Sequence, residues 1–560
     1  MLVEEKMIHK NHLHYSNYLL IAVIVFAGYG NSLNNSFSFD DRALILEDQR
    51  IINADWEAIF TQSYWGDTGD GLYRPLTSAS LALNWLVGRD SPFSYHLVNI
   101  VLHILVAAML CYIGLRGHNS RAGLVGAIFF ALHPGHSEAV FSIVGRAELL
   151  ACFWGMFAIV CSLYSRDGFH SSKACLPAIF LSLVAAMLCK ENGTVFAVGI
   201  AVCGICREQR LDHAGRVALL AIVVAFACKL WAIGVLRPES IGYLDNPLAY
   251  LPTDLRIAHG FALVGRALLK MAFPWPLAAD YSSEQIPIFT ELTMPELWLP
   301  VLWVISMGIV SILLVARNWD YFIWMVLCAG GILLVSNIFI VTGTIFAERL
   351  LYIPTLGLAA AGGMGLSRLK TKLRIYLSTS WILIAVSILA GRGIEWRGDM
   401  DLFTSAVKVH PHSARSHFGL GLALHRDGNL ELAIGAYKRA LEIYPRYFEA
   451  RLNLGAALLG SGKLKEAIVI YRQITEQRPR HFQGRYALAL LEQNNGNRED
   501  AEQMLRQLHE ERPDRLDILR DFSNLLIHKN DLEEAESLLI KGLQVDPDNK
   551  DLRRLQLLIK

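Results

Sequence analysis

Two adjacent carboxylates, Asp40 and Asp41, stand in the run FSFDD a few residues beyond the first long apolar stretch of the chain. A carboxylate can take the proton of an acceptor hydroxyl while its neighbour orients that hydroxyl or stabilises developing positive charge, so the pair suits general-base chemistry. An acidic loop bordering a bilayer has the same composition, and for an isolated Asp-Asp pair that plainer interpretation is the stronger one. The company the pair keeps shifts the balance. The segment HPGHSEAVFSIVGRAELL sets His133, His136, Glu138, Arg146 and Glu148 between two apolar runs. Lys190 and Glu191 occupy a very short turn between two more, and Glu348 and Arg349 open another, after VTGTIFA. Charged and imidazole groups at membrane depth are costly unless they face a polar cavity or pair with one another, which makes them candidates for function. Each of the pairs Lys190–Glu191 and Glu348–Arg349, taken alone, equally suits an ion pair bracing a helix end. His133, His136 and Glu138 carry metal-ligating atoms, but their spacing is not that of a zinc helix and no metal is expected.

These residues need elements to hold them, and composition says which. The chain has 560 residues, 53% of them hydrophobic, and a mean hydropathy of +0.34, too apolar for a soluble protein of this size. A net charge of +1 gives no broad basic field, so nucleic acid gets no support as a partner and none is expected. The nine cysteines lie mostly inside apolar runs, without paired or zinc-like spacing, and read as small buried apolar residues. Lys6 and Lys10 precede an apolar stretch without a small-residue cleavage site, which predicts a retained first span entering from the cytosol.

About 20 apolar residues cross a bilayer core as a helix. Candidates recur near 16–33, 96–115, 121–139, 147–165, 173–189, 193–207, 216–236, 298–316, 321–340, 349–367 and 374–391, about 11 spans. Lys and Arg gather on the cytosolic side. The junctions holding Arg116 and Arg121, Arg166 and Lys173, Arg207 to Arg216, Arg317, and Arg368 to Arg374 are therefore expected in the cytosol. Alternation then puts residues 34–95, the His133–Glu148 region, Lys190–Glu191, 237–297 and Glu348–Arg349 on the opposite side, so every unusual polar motif falls on one face. Residues 256–273, where Arg256, His259, Arg266 and Lys270 interrupt an apolar pattern, are expected as an interfacial helix. Should that segment cross, another must fail to, or the C-terminus changes sides.

The last third changes character. Pro411, Pro445, Pro479, Pro513 and Pro547 keep a step of 34 residues, as do Ala433, Ala467, Ala501 and Ala535, and Gly428, Gly462, Gly496 and Asn530. A small residue where two helices pack, a turn residue between them and a closing proline at that period are the tetratricopeptide signature. The fold is expected to be all-α. Residues 1–395 form a polytopic membrane domain with an extracytosolic loop at 34–95, and 396–413 a connecting helix. Residues 414–560 form an α-solenoid of four repeats with a C-terminal cap. An odd number of crossings puts the repeats on the side of Asp40. Two potential N-glycosylation acceptors, Asn34 in NNS and Asn192 in NGT, fall on that side as well.

Taken together, FSFDD, YWG, YRPLT, the Tyr95–Asn99 run with His96, HPGHSEAV with IVGRAELL, and ERLLYIP resemble the transmembrane and tetratricopeptide repeat-containing protein family over nearly the whole chain. That family belongs to the GT-C class of glycosyltransferases. The resemblance implies transfer of mannose from dolichyl-phosphate mannose, or of another sugar from a polyprenyl-phosphate carrier, to Ser or Thr of proteins. It implies Asp40 as general base with Asp41 in support, and a clamp on the donor phosphate drawn from Arg74, Arg146, Lys190 and Arg349. His96, His133, His136, Glu138, Glu148, Glu191 and Glu348 would complete the polar site, with the acceptor protein held by the repeats. The multi-pass chain would then sit in the endoplasmic reticulum membrane of a eukaryote or the inner membrane of a bacterium, its repeats lumenal or periplasmic. Two other classes compete. A membrane-tethered repeat scaffold has no use for a long polar loop with paired carboxylates, and a transporter would carry its charges mid-span rather than near one end.

Overall fold

The structure, a computed structural model, describes residues 2–66, 71–116, 120–166, 172–234, 241–283, 285–289, 291, 295–317 and 321–559. Residues 67–70 of the expected loop and parts of 237–297 lie outside them. Among the described residues every regular element is helical and no strand occurs. All eleven apolar stretches lie on helices: Leu2–Tyr29, Pro92–Arg116, Ser120–Ala131, Arg146–Arg166, Ser172–Cys189, Thr194–Glu208, His213–Ile233, Pro295–Arg317, Phe322–Leu334, Tyr352–Ser367 and Thr371–Glu395. Seven helices among the described residues are long and apolar enough to cross a bilayer by length and composition, and the shorter remainder includes the third and ninth expected spans.

Both of those end early for local reasons. The third stops at Ala131 because Pro134 opens a tight turn in which the His133 ring accepts the Gly135 amide. Residues 134–145 then make short buried turns rather than a continuing helix. The ninth stops at Leu334, where Asn337 adopts a left-handed backbone (φ 64°) and its amide oxygen accepts from Thr342 and Asn246. The 256–273 pattern lies on the helix Thr253–Ala272, which is not among the seven. One face, with Leu263, Val264, Ala267 and Met271, is buried; Phe261 and Leu269 face outward.

The protein divides into two compact units, Met1–Ser413 and Ala414–Lys560, and the helix Asp399–Val409 belongs to the first. In the first unit small residues let helices approach closely, as bilayer helices require. A Cβ added at Gly363 would lie 2.4 Å from the Ala122 carbonyl oxygen and 2.7 Å from the Gly126 nitrogen. The loop after the first span has its own small core, in which Phe37, Leu44, Ile45, Ile51, Ile59, Tyr64 and Leu81 pack with Tyr95, Ile143 and Val144. Asp48 and Asp55 cap its two short helices by accepting the amides of Arg50 and Ala58. That core fixes the loop against the ends of the spans.

The second unit is four helix pairs, Ala414–Arg426 with Leu430–Ile443, Phe448–Gly460 with Leu464–Gln477, Phe482–Asn494 with Arg498–Glu511 and Leu516–Lys529 with Leu532–Val545, followed by Lys550–Ile559. Ala433, Ala467, Ala501 and Ala535 are wholly buried where the helices meet. Gly428, Gly462 and Gly496 take φ of 78° to 92°, and Asn530 holds the equivalent turn at 64°. Arginines that close a repeat lie over the aromatic ring that opens the same repeat, with Arg478 3.7 Å from the Phe448 ring centroid and Arg515 4.3 Å from that of Phe482.

The contact at Gly363 has a neighbouring control. Gly363→Ala is expected to overpack the helix interface at a cost of roughly 1–3 kcal/mol, lowering the thermal midpoint of the purified chain. Gly362→Ala, where nothing lies within 4 Å, should leave it unchanged or raise it. Equal midpoints for the two variants would refute the packing.

Candidate active site

Asp40 is presented by a strained segment that is tied down at several points. Phe39 has φ 54°, costly for a residue with a side chain. Its N–H donates to Asp399 Oδ1 at 2.7 Å, while Arg42 Nε donates to Asp399 Oδ2 at 3.1 Å. Upstream, the Ser36 amide and hydroxyl both donate to the Arg397 carbonyl at 2.9 Å. The Asp40 side chain is 20% exposed, and its carboxylate lies 3.9 Å from Arg349 Nη1. Asp41, by contrast, is fully buried. It accepts the amides of Ser38 at 3.1 Å and Val144 at 2.9 Å, and so ties the loop to the turn before the Arg146–Arg166 helix. Burial pushes its carboxyl up to about 7, the amides of Val144, Ser38 and Ile143 draw it partly back, and the charge of Asp40 adds to the rise. The two acids therefore differ in kind, since only Asp40 is open to a substrate.

Around Asp40 three cations each hold one carboxylate. Arg349 donates its Nη1 to Glu138 Oε1 at 2.7 Å and its backbone amide to Glu138 Oε2 at 2.9 Å. Arg74 donates through Nε and Nη2 to Glu191 Oε2 at 3.1 and 2.9 Å. Lys190 pairs with Glu148, whose other oxygen accepts Asn192 Nδ2 at 2.6 Å. Burial pulls the Arg74 guanidinium down, but the Glu191 carboxylate outweighs it and leaves the group above its ordinary value. Burial tends to raise Glu191, and Arg74 overcomes this to hold it below the usual carboxylate range. For Lys190 burial prevails over Glu148 and the ammonium lies below its ordinary value, with Arg74 and Arg349 adding to the shift. The cations are close enough to act on one another, so the polar ends of distant segments meet at one place. Glu148 and Glu138 are almost wholly shielded, whereas Arg74 and Arg349 keep part of their side chains open.

Other residues singled out from the sequence are committed elsewhere. Arg146 is fully buried and donates to Asn99 Oδ1 at 3.0 Å, the Tyr95 carbonyl at 2.9 Å and the Ser80 carbonyl at 3.3 Å. It knits the loop to two helices and has no face left for an anion. Glu348 accepts the Ala278 amide at 2.7 Å, the Tyr281 hydroxyl at 2.6 Å and Arg392 at 3.3 Å, and sits wholly buried. His133 Nε2 meets the Met271 carbonyl at 2.8 Å, and His136 Nε2 meets the Thr355 hydroxyl. With Glu138 turned to Arg349, these three do not converge as ligands; among the described residues no three His, Cys, Asp or Glu side chains are grouped to hold a metal ion. His96 is buried beside this region at the start of the Pro92–Arg116 helix. Asn192 is 6% exposed with its amide on Glu148, so it is closed to a glycan in the folded chain, unlike the exposed Asn34.

Sequence spacing missed Asp399, Arg392 and Tyr64 as site residues, and gave Asn99 and Asn192 no part in holding the charged groups. Tyr64 carries the Arg74 guanidinium 5.0 Å above its ring. Only YWG offered a sign of it, as a motif without an assigned chemistry.

Comparison with known proteins bears out the resemblance seen in the motifs. A tetratricopeptide-repeat family model matches residues 424–491 and 494–559. Human protein O-mannosyl-transferase TMTC3 is 28% identical over 471 residues, covering 75% of this chain and 50% of that protein. Protein O-mannosyl-transferase F38B6.6 of Caenorhabditis elegans is 27% identical, covering 74% of this chain and 60% of its own length. The chain thus spans about half the length of its TMTC3 relatives. Among solved structures, ArnT from Cupriavidus metallidurans bound to undecaprenyl phosphate aligns over 82% of this chain and 80% of its own, a weak likeness at TM-score 0.42 and 16% identity.

The buried acid gives a pH signature. Its folded pKa near 7 lies above the value of about 4 for a free Asp. Asp41 thus contributes its stability in full below about pH 4 and loses it as pH rises through 7, on the order of 4 kcal/mol as an upper bound. The thermal midpoint of the parent chain minus that of Asp41→Asn should fall from pH 4.5 to about 7 and then level off. A difference independent of pH would refute a buried, perturbed carboxyl.

Proposed function

We propose that the first unit is a membrane glycosyltransferase of the GT-C class. It moves a sugar, mannose foremost, from a dolichyl- or other polyprenyl-phosphate carrier to Ser or Thr hydroxyls of proteins on the lumenal or periplasmic side. The observation that carries the proposal is Asp40, a partly open carboxylate 3.9 Å from Arg349, which belongs with Arg74 and Lys190 to a group of cations already anchored by carboxylates. The names of the relatives, protein O-mannosyl-transferases, supply the reaction.

In this mechanism Asp40 accepts the proton of the acceptor hydroxyl as its oxygen bonds to the anomeric carbon. The bond from that carbon to the phosphate oxygen breaks, its electrons stay with the phosphate, and the configuration inverts. Arg74, Arg349 and Lys190 stabilise the departing oxyanion; preset cations at the edge of a bilayer need little reorganisation to do so. Glu138, Glu148 and Glu191 keep them in place. Asp41 and Arg146 hold the loop rather than the substrate. A tether alone would not need a carboxylate and three cations gathered from four separate segments. The repeats would capture the protein acceptor and raise its effective concentration at the site, in the way helical arrays bind extended partners.

Asp40→Asn preserves shape and removes the base. Sugar transfer to a co-expressed acceptor, followed as hexose on Ser or Thr by mass spectrometry, should drop by about 10²- to 10⁴-fold, with insertion and thermal midpoint unchanged. Full transfer by this variant would eliminate Asp40 as base, and unaltered secreted glycopeptides in cells lacking the chain would eliminate the reaction.

A further inference from the structure

Buried polar atoms nearly always find partners, so a group of unpartnered ones in one place asks for a ligand. Three shielded side-chain oxygens around the cation cluster have no hydrogen-bond partner among the described residues: Tyr64 Oη, Glu191 Oε1 and Asn192 Oδ1. Tyr64 and Asn192 are only 4% and 6% exposed. Each residue is held by its other atoms. The Tyr64 ring packs in the loop core and lies under the Arg74 guanidinium, and the Tyr64 amide donates to the Leu72 carbonyl at 2.7 Å. Glu191 spends Oε2 on Arg74, and Asn192 spends Nδ2 on Glu148. The last contact fixes the Asn192 amide, because only its NH₂ end can face a carboxylate, so Oδ1 must point the other way.

The free atoms are therefore two acceptors and a hydroxyl, on residues that adjoin Arg74 directly or Lys190 through Glu148. An anion would be repelled by a carboxylate oxygen and gains nothing from an amide oxygen. A ring bearing hydroxyls can donate to both and exchange a hydrogen bond with Tyr64. Burial pushes the Tyr64 hydroxyl up to about 12, with Arg74 opposing, so it stays a neutral donor and acceptor at physiological pH. We infer that Tyr64, Glu191 and Asn192 form a hydroxyl-reading subsite for the sugar ring of the lipid-linked donor, distinct from the cations that take its phosphate. The inference rests on the proposed transfer reaction and assigns the sugar's place within it. Discrimination follows from the chemistry: a sugar lacking a hydroxyl opposite these atoms would leave them unpaired.

Tyr64→Phe tests this with one atom removed. The full chain in lipid nanodiscs is titrated with polyprenyl phosphate and with polyprenyl-phosphate mannose. The variant should bind the mannose-bearing lipid about 3- to 10-fold more weakly, the loss of one hydrogen bond, while its affinity for the sugar-free lipid and its thermal midpoint stay at parental values. Weakening of both lipids alike would move Tyr64 to the phosphate and overturn the subsite, as would no change in either. A lowered midpoint would mark a structural role and overturn it too. If the parent binds both lipids with this Tyr64-dependent preference but transfers nothing to any protein, the subsite stands and the proposed reaction fails. If it transfers mannose while Tyr64→Phe binds like the parent, the reaction stands and the subsite fails.

Discussion

A charge carried to the edge of a bilayer must bring its counter-charge with it, and in the first unit that requirement is met pair by pair. Arg349 with Glu138, Lys190 with Glu148 and Arg74 with Glu191 each join segments far apart in the chain. For Lys190 and Glu148, the pair that is buried on both sides, removing one member leaves an uncompensated charge, at a cost of about 3–5 kcal/mol. The pairs therefore select which helix ends can adjoin, and every other feature of the site is arranged around the place where they meet. Since they cancel one another, Asp40 is left without a cation of its own, 3.9 Å from one that already has a partner.

The acid itself depends on a different device. A left-handed Phe39 is tolerable only because surrounding contacts over-determine it, and Asp399 supplies the decisive one by accepting both the Phe39 amide and Arg42. Asp399 opens the helix that follows the last apolar one, so the end of the membrane unit and its beginning are closed on each other beside Asp40. Asp41 reinforces the same loop from the opposite direction, through Val144.

Much of this could be seen in the sequence, for physical reasons. A repeat of 34 residues is visible because each helix pair meets the same neighbour, so Ala433 and its three successors answer one packing demand. Apolar helices are visible because lipid tolerates little else. Grouping Asp40, Glu138, Lys190, Glu191 and Arg349 on one face followed from loop charges alone, and the structure brings these residues together. What could not be seen was pairing across long separations, or satisfaction by backbone carbonyls. Arg146 looked available because nothing in its spacing reveals that Tyr95, Ser80 and Asn99 surround it. Glu348 looked like part of the site although Arg392, on a helix more than forty residues away, claims it. The third span ran past Ala131 on paper because His133 and Pro134 sit in an apolar context that hides a turn. Tyr64 was hidden for the opposite reason, since an aromatic ring in a loop usually means core packing and only the atom at its tip is unusual.

The cation cluster has one more consequence. In the proposed reaction the carrier arrives as a phosphate diester with a single negative charge and departs as a monoester with nearly two. Three prearranged positive groups then grip the spent lipid more firmly than the fresh one. Escape of that lipid, rather than bond making, would set the pace of turnover, and its accumulation in the bilayer would throttle the protein that produced it.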